Sequence, residues 1–158
     1  MVLDSYSAGW PAPVATAPLD ARLVIPGSKS LTNRELVLSA LAESPSTLRA
    51  PLIARDTRLM ADALTALGTS VDTADPEVWR VSPGRLHGDA AIHAGLAGTV
   101  MRFLPPVAAL ATGAVTMDGD EHARRRPMST TIDALRTLGV AIDDEGRGGL
   151  PFTIHGDG

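Results

Sequence analysis

Apolar residues recur at helical spacing in two stretches that end alike. Leu59, Ala63, Leu64 and Leu67 share one face of a helix predicted from about Thr57 to Leu67, with Gly68 as its C-terminal cap. A second helix is predicted from Met128 to Leu138, followed by Gly139. Between such stretches the apolar runs are short, as strands require. Arg22–Ile25, the region of Thr47-Leu48, Ser70–Asp72 and Val78–Val81 read as strands in the first half of the chain. In the second half, strands are predicted near Val140–Ile142 and Phe152–Ile154. A further helix is predicted to begin near Thr32 and run to about Leu41. Thr32 and Glu35 form its capping box, and Leu31 and Leu36 its hydrophobic staple. Pro105-Pro106 predicts that any helix after Gly98 starts late, breaks or kinks.

The two halves are related by a gap-free offset of 71 residues. Gly27 matches Gly98, Arg55 matches Arg126, Asp62-Ala63-Leu64 matches Asp133-Ala134-Leu135, Leu67-Gly68 matches Leu138-Gly139, and Asp72 matches Asp143. A repeat of this length implies a supersecondary unit that packs on copies of itself. Each unit reads βαβαββ, giving an α/β (α+β) fold. The expected division is an extended lead-in over 1–18, a first unit over 19–88 and a second over 89–158.

A length of 158 residues is enough to bury a core. Aromatics make up only 3%, so Ala, Leu and Val must build most of it. No cysteine is present, which excludes disulfides, thiolate zinc sites and a cysteine nucleophile within these residues. The net charge of −4 argues against a general nucleic-acid-binding surface. No apolar run reaches 18 residues, so no transmembrane helix is expected, and a cytoplasmic location follows by default. Of the 14 basic residues, only Lys29 is a lysine.

Three clusters could carry chemistry. Lys29 and Ser30 follow a glycine turn and Arg34 falls in the first helical turn, where unpaired N–H groups and the helix dipole favour an anion. The same residues could form only an exposed polar turn. They are not a Walker A loop, since GxxxxGK[ST] is absent. In Gly95-Leu96-Ala97-Gly98-Thr99-Val100-Met101-Arg102 the small residues either let a ligand approach the backbone or make a tight packing turn. Arg124-Arg125-Arg126 reads as a solvated face with Asp118, Asp120 and Glu121 as available partners. Arg126 stands apart, because it holds the repeat position of Arg55. His87, His93, His122 and His155 lack metal-ligand spacing and read as incidental. Spacing alone assigns no triad and no general base.

Together these residues resemble the enolpyruvyl transferases. The resemblance rests on Pro26–Ser30 with Asn33-Arg34, on Gly95–Arg102, and on Asp118-Gly119-Asp120 continuing to Arg125-Arg126-Pro127, with Arg55-Asp56-Thr57 also similar. It covers nearly all of 19–158 and is closest to the branch that acts on shikimate 3-phosphate. That resemblance implies domains of three βαβαββ units each, of which two of one domain are present here. The third unit and a second domain would lie outside this chain, and the lead-in would belong to that other domain. It implies transfer of the enolpyruvyl group of phosphoenolpyruvate to the 5-hydroxyl of shikimate 3-phosphate, a step toward chorismate and the aromatic amino acids. By matching position, Lys29, Ser30 and Arg34 would bind shikimate 3-phosphate. Lys29, Gly98, Thr99 and Arg126 would bind phosphoenolpyruvate, whose site the herbicide glyphosate would occupy beside Gly98. The acid/base carboxylates would lie outside the chain, leaving no catalytic residue within it and no turnover by it alone. No cofactor, metal, nucleic acid or membrane is implied, and the whole protein would be a monomer. Leu96 departs from the Asn common in the family.

Two other readings remain open. The branch acting on UDP-N-acetylglucosamine typically has Asn in place of Ser30 and commonly a Cys in the loop before its Arg; this chain has neither. A non-catalytic anion-binding module would hold phosphate or sulfate near Lys29 without a second domain.

Overall fold

The structure is a computed structural model that describes Gly9 and residues 11–158. Most of the first ten residues of the expected lead-in thus lie outside the described residues. Residues 11–28 form no helix or strand and are exposed.

The first half folds as α1 (Lys29–Ala40), β1 (Ser46–Arg49), α2 (Arg55–Ala66), β2 (Ser70–Asp75) and β3 (Val78–Ser82). Its antiparallel sheet has the order β1-β3-β2. The second half runs β4 (Ala90–His93), α3 (Gly98–Ala109), β5 (Thr112–Asp118), a single turn α4 (Glu121–Arg124), α5 (Ser129–Thr137), β6 (Ala141–Asp143) and β7 (Phe152–Asp157). Its sheet has the order β4-β5-β7-β6, with β4 parallel to β5 and the other pairs antiparallel. Strands in repeat-equivalent places thus take equivalent places in the two sheets, β1-β3-β2 against β5-β7-β6.

The repeated Leu-Gly pairs have a common physical role. Gly68 (φ 107°) and Gly139 (φ 93°) each follow a helix in the left-handed region. After α2, Gly68 N donates to Thr65 O at 3.0 Å and Thr69 N to Leu64 O at 3.0 Å. After α5, Gly139 N donates to Arg136 O at 2.9 Å and Val140 N to Leu135 O at 3.0 Å. Both ends are Schellman motifs, which satisfy carbonyls the helix leaves free.

One continuous core lies between the helices and the two sheets. It holds Leu36, Met60, Leu64, Leu67 and Trp79 from the first half, and Met101, Leu104, Met117, Phe152 and Ile154 from the second. Methionine and a few large residues supply the volume that scarce aromatics do not.

Three expectations are corrected. Arg22–Ile25 forms no strand, and Leu23, Val24 and Ile25 are 80% or more exposed. Among the described residues no strand pairs with this run and no helix covers it, whereas its counterpart β4 has β5 beside it and buries Ile92. The first helix starts earlier than predicted, because Ser28 and not Thr32 is its cap: Ser28 Oγ accepts from Leu31 N at 3.3 Å. Thr32 lies inside the helix, donating to Ser28 O and accepting from Leu52 N, while the exposed Leu31 makes no staple with Leu36. Finally, α3 runs through Pro105 and Pro106 without a break. The missing N–H groups forfeit bonds to Met101 O and Arg102 O, but buried Met101, Leu104, Val107 and Ala108 hold the segment helical against that loss.

Candidate functional site

Moving the cap to Ser28 puts Lys29 and Ser30 in the first turn of α1, with Arg34 one turn further on. The glycine-led turn before α3 does the same for Gly98 and Thr99. The helices pack side by side with these N-termini close together, joined by a hydrogen bond of 2.5 Å from Asn33 Nδ2 to Thr99 Oγ1. Between them opens a cleft of about 460 Å³ lined by Lys29, Ser30, Arg34, Asp56, Gly98, Thr99, Arg102 and Phe103. Arg126 reaches the same place from the loop after α4. Its Nη1 donates to Leu96 O at 3.1 Å and lies 3.6 Å from where a Cβ on Gly98 would sit. Lys29, Ser30, Arg34, Gly98, Thr99 and Arg126 are therefore brought to one place, with residues of both repeats facing each other.

The cations of the cleft are held in different ways. Lys29 Nζ lies 2.9 Å from Asp56 Oδ2, on the first turn of α2. The Arg34 guanidinium stacks over Phe103, 5.2 Å from the ring centroid, and Nη1 donates to Ser30 O. Both contacts leave charge able to meet an anion, since carbonyl and aromatic partners do not neutralise a guanidinium. Arg102 and Arg126 likewise bond only backbone carbonyls among the described residues.

The turn carrying Gly98 is braced from beneath. Gly95 takes φ 56°, and a Cβ there would fall 2.6 Å from Leu59 Cδ1 and 3.2 Å from an Arg55 nitrogen. Arg55 grips Asp120 with two bonds of 2.7 and 3.0 Å, and Asp120 N donates to Gly95 O at 2.9 Å. His93 Nδ1 accepts from Gly95 N. Hydrogen bonds from Arg55, with its charge alongside, hold the Asp120 carboxyl below the usual carboxylate range. The Asp118 carboxyl is lowered the same way by Arg124, which binds it through two bonds of 2.8 and 2.5 Å. Arg125 pairs with Glu121. Of the three adjacent arginines, two are thus consumed by local carboxylates and Arg126 alone is directed to the Gly98 turn.

Sequence reasoning passed over Asn33, Asp56, Arg102, Phe103 and Asp120 as parts of this site. Asp56 and Asp120 carried a signal, since both stand in motifs beside repeat-equivalent arginines. Arg102 closes the glycine-led motif and so carried a signal too, whereas Phe103, one turn into α3 on the side facing α1, is revealed only by the packing of the two helices. His93 was read as incidental, yet it supports the Gly95 turn. Among the described residues no cluster of His, Cys, Asp or Glu could hold a metal ion, and no helix is long and apolar enough to cross a membrane.

The sequence model of the EPSP synthase family (3-phosphoshikimate 1-carboxyvinyltransferase) matches residues 14–158. The chain belongs to the EPSP synthase family. It is 51% identical to a 3-phosphoshikimate 1-carboxyvinyltransferase of Kocuria rhizophila over 94% of this chain and 36% of that protein. It is also 51% identical to one of Bifidobacterium longum, over 92% of this chain and 34% of that protein. Among solved structures, EPSP synthase from Acinetobacter baumannii superimposes with a TM-score of 0.77 at 25% identity, covering 85% of this chain and 32% of that one. The chain thus spans about a third of the length of the EPSP synthases it matches.

Proposed function

We propose that the protein to which this chain belongs transfers the enolpyruvyl group of phosphoenolpyruvate to the 5-hydroxyl of shikimate 3-phosphate. The products are 5-enolpyruvylshikimate 3-phosphate and inorganic phosphate, on the route to chorismate and the aromatic amino acids. The observation that carries this reading is the cleft itself. Two helix N-termini from two repeats converge on it, with Lys29 and Arg34 on one side and Arg102 and Arg126 on the other.

The chemistry requires such a place. The 5-hydroxyl gives its proton to a base as its oxygen bonds to C2 of phosphoenolpyruvate, while C3 gains a proton from an acid. The tetrahedral intermediate then breaks its C2–O bond to phosphate and C3 gives a proton back. Each substrate brings a carboxylate and a phosphate, so fixed cations must offset their repulsion, and helix N-termini supply N–H donors to the same anions. Lys29, Ser30 and Arg34 bind shikimate 3-phosphate. Gly98, Thr99 and Arg126 bind phosphoenolpyruvate, with Lys29 between the two as a compact charge that can serve both. Asp56 holds Lys29 in place until an incoming phosphate competes for it. The general acid and base come from the rest of the protein, so this chain alone turns nothing over. No cofactor or metal takes part.

The same proposal places the chain as two of three repeated units of one domain. The contact between α1 and α3 is not reciprocal: Asn33 meets Thr99, whereas the repeat counterpart of Asn33 is Leu104. Heterologous contacts of this kind close into rings or continue. Beside the pair runs an apolar groove of about 350 Å³ flanked by the exposed Leu38, Leu41 and Leu110, suited to a third equivalent helix. The whole protein is a cytoplasmic monomer on this reading.

The test is phosphate release from the two substrates by the protein encoded in the complete reading frame. The wild type releases phosphate only when both substrates are present, and Lys29→Met abolishes the release. Phosphate release from phosphoenolpyruvate without shikimate 3-phosphate, or full activity in the variant, would contradict the proposal.

A further inference from the structure

Asn33 is fully buried and lies between the two half-sites. Its Nδ2 donates to Thr99 Oγ1, while its Oδ1 has no partner among the described residues. The opposite amide orientation would leave the two N–H donors unpaired in the core, which is worse than one bare carbonyl oxygen. A hydroxyl has one proton and two acceptor positions. When an amide N–H occupies one acceptor position, the proton of Thr99 must point elsewhere. Among the described residues it has no acceptor of its own, and Thr99 lines the cleft.

We infer that Asn33 is a positioning residue that fixes the direction of the Thr99 hydroxyl, so that Thr99 donates its proton into the cleft toward an anionic oxygen of phosphoenolpyruvate. This rests on the proposed function for the identity of the anion. Asn33 itself touches no substrate, being sealed in the contact between α1 and α3. Its effect runs entirely through one hydroxyl on the phosphoenolpyruvate side of the cleft, so shikimate 3-phosphate should not feel its loss.

A double-mutant cycle tests this in the protein from the complete reading frame, reading KM for each substrate with the other saturating. Asn33→Ala and Thr99→Val each raise KM for phosphoenolpyruvate by about ten-fold, the scale of one hydrogen bond to a charged group. Each leaves KM for shikimate 3-phosphate within about two-fold, a small difference for a site not touched. The double variant is no worse than the worse single one. Thr99→Ser keeps the hydroxyl, keeps near-normal affinity and restores sensitivity to Asn33→Ala. Additive losses in the double variant, or equal losses for both substrates, would overturn the inference while leaving the proposed function intact. A wild type that does not use phosphoenolpyruvate would overturn both. If Asn33→Ala fails to fold, Thr99→Val against Thr99→Ser decides: equal phosphoenolpyruvate affinities show that no outward-pointing hydroxyl is used.

Discussion

Gly98 has unusual room for a residue at a helix start. A Cβ there would meet nothing but the tips of Arg102 and Arg126, at 3.2 and 3.6 Å. Gly98→Ala should therefore fold normally, while its methyl projects among the cations proposed to hold phosphoenolpyruvate. Steady-state kinetics on the complete protein should show a raised KM for phosphoenolpyruvate, a weaker effect of glyphosate, and an unchanged KM for shikimate 3-phosphate. Equal loss for both substrates would mean that the methyl disturbs the helix and not the cleft. A second single residue contributes to the acid limb of stability, beside Asp118 and Asp120. Asp144 is buried and accepts from Arg136 at 2.7 Å, Gly148 N at 2.8 Å and Gly146 N at 3.2 Å. The Arg136 hydrogen bond, then those backbone donors, lower its pKa to about 2. A carboxyl depressed on folding stabilises the fold fully above its unfolded pKa of about 4. That stability is lost as pH falls from there toward about 2. Urea midpoints should drop between pH 5 and pH 3 in the wild type, and drop less in Asp144→Asn, which is less stable throughout.

At the scale of elements, the two Schellman ends offer an internal control. Gly139→Ala puts a methyl into open space, so only the left-handed backbone is penalised, by about 1–2 kcal/mol. Gly68→Ala carries the same penalty and also drives a Cβ to 2.5 Å from Arg85 O. Chemical denaturation should show the second variant clearly less stable than the first; equal losses would mean that the Arg85 segment moves aside freely. These same motifs explain why so much of the architecture was legible in the sequence. Schellman ends need a glycine and a preceding apolar face, and both can be read directly from Leu67-Gly68 and Leu138-Gly139. The start of α1 was misread because two competing caps lie four residues apart. Thr32 with Glu35 satisfies the pattern of a capping box, but Ser28 lies where the chain leaves its extended path, and Thr32 is diverted to anchor Leu52 N. The unformed strand at Arg22–Ile25 shows the limit of pattern reading. Its short apolar run and branched residues are suitable, yet a strand exists only against a partner. The candidate site was legible in its cations and glycines because these fall in compact motifs. Asn33 and Phe103 were not, because their roles arise from helix packing between residues 66 or more positions apart, as with Asn33 and Thr99.

Across the whole molecule, the two repeats form a cleft that the proposed function reads as half of an active site. The Leu38, Leu41 and Leu110 flank of the apolar groove and the exposed Leu23–Ile25 run are surfaces that a folded protein usually covers. Expressed alone, the 158-residue chain should release no phosphate from the two substrates, while the protein from the complete reading frame should do so. On the proposed reading its own contribution is recognition, and weak recognition should survive in isolation because Lys29, Arg34, Arg126 and both helix N-termini are already in place. The most direct measurement is an amide NMR titration of the isotopically labelled chain with shikimate 3-phosphate, then phosphoenolpyruvate, with inorganic phosphate as reference. The account predicts saturable shifts around Lys29, Ser30 and Arg34 with shikimate 3-phosphate, and around Gly98, Thr99 and Arg126 with phosphoenolpyruvate. The first set should be lost in Lys29→Met, and neither should be reproduced by inorganic phosphate at equal concentration. No shifts at these residues, or the same shifts with inorganic phosphate, would contradict it.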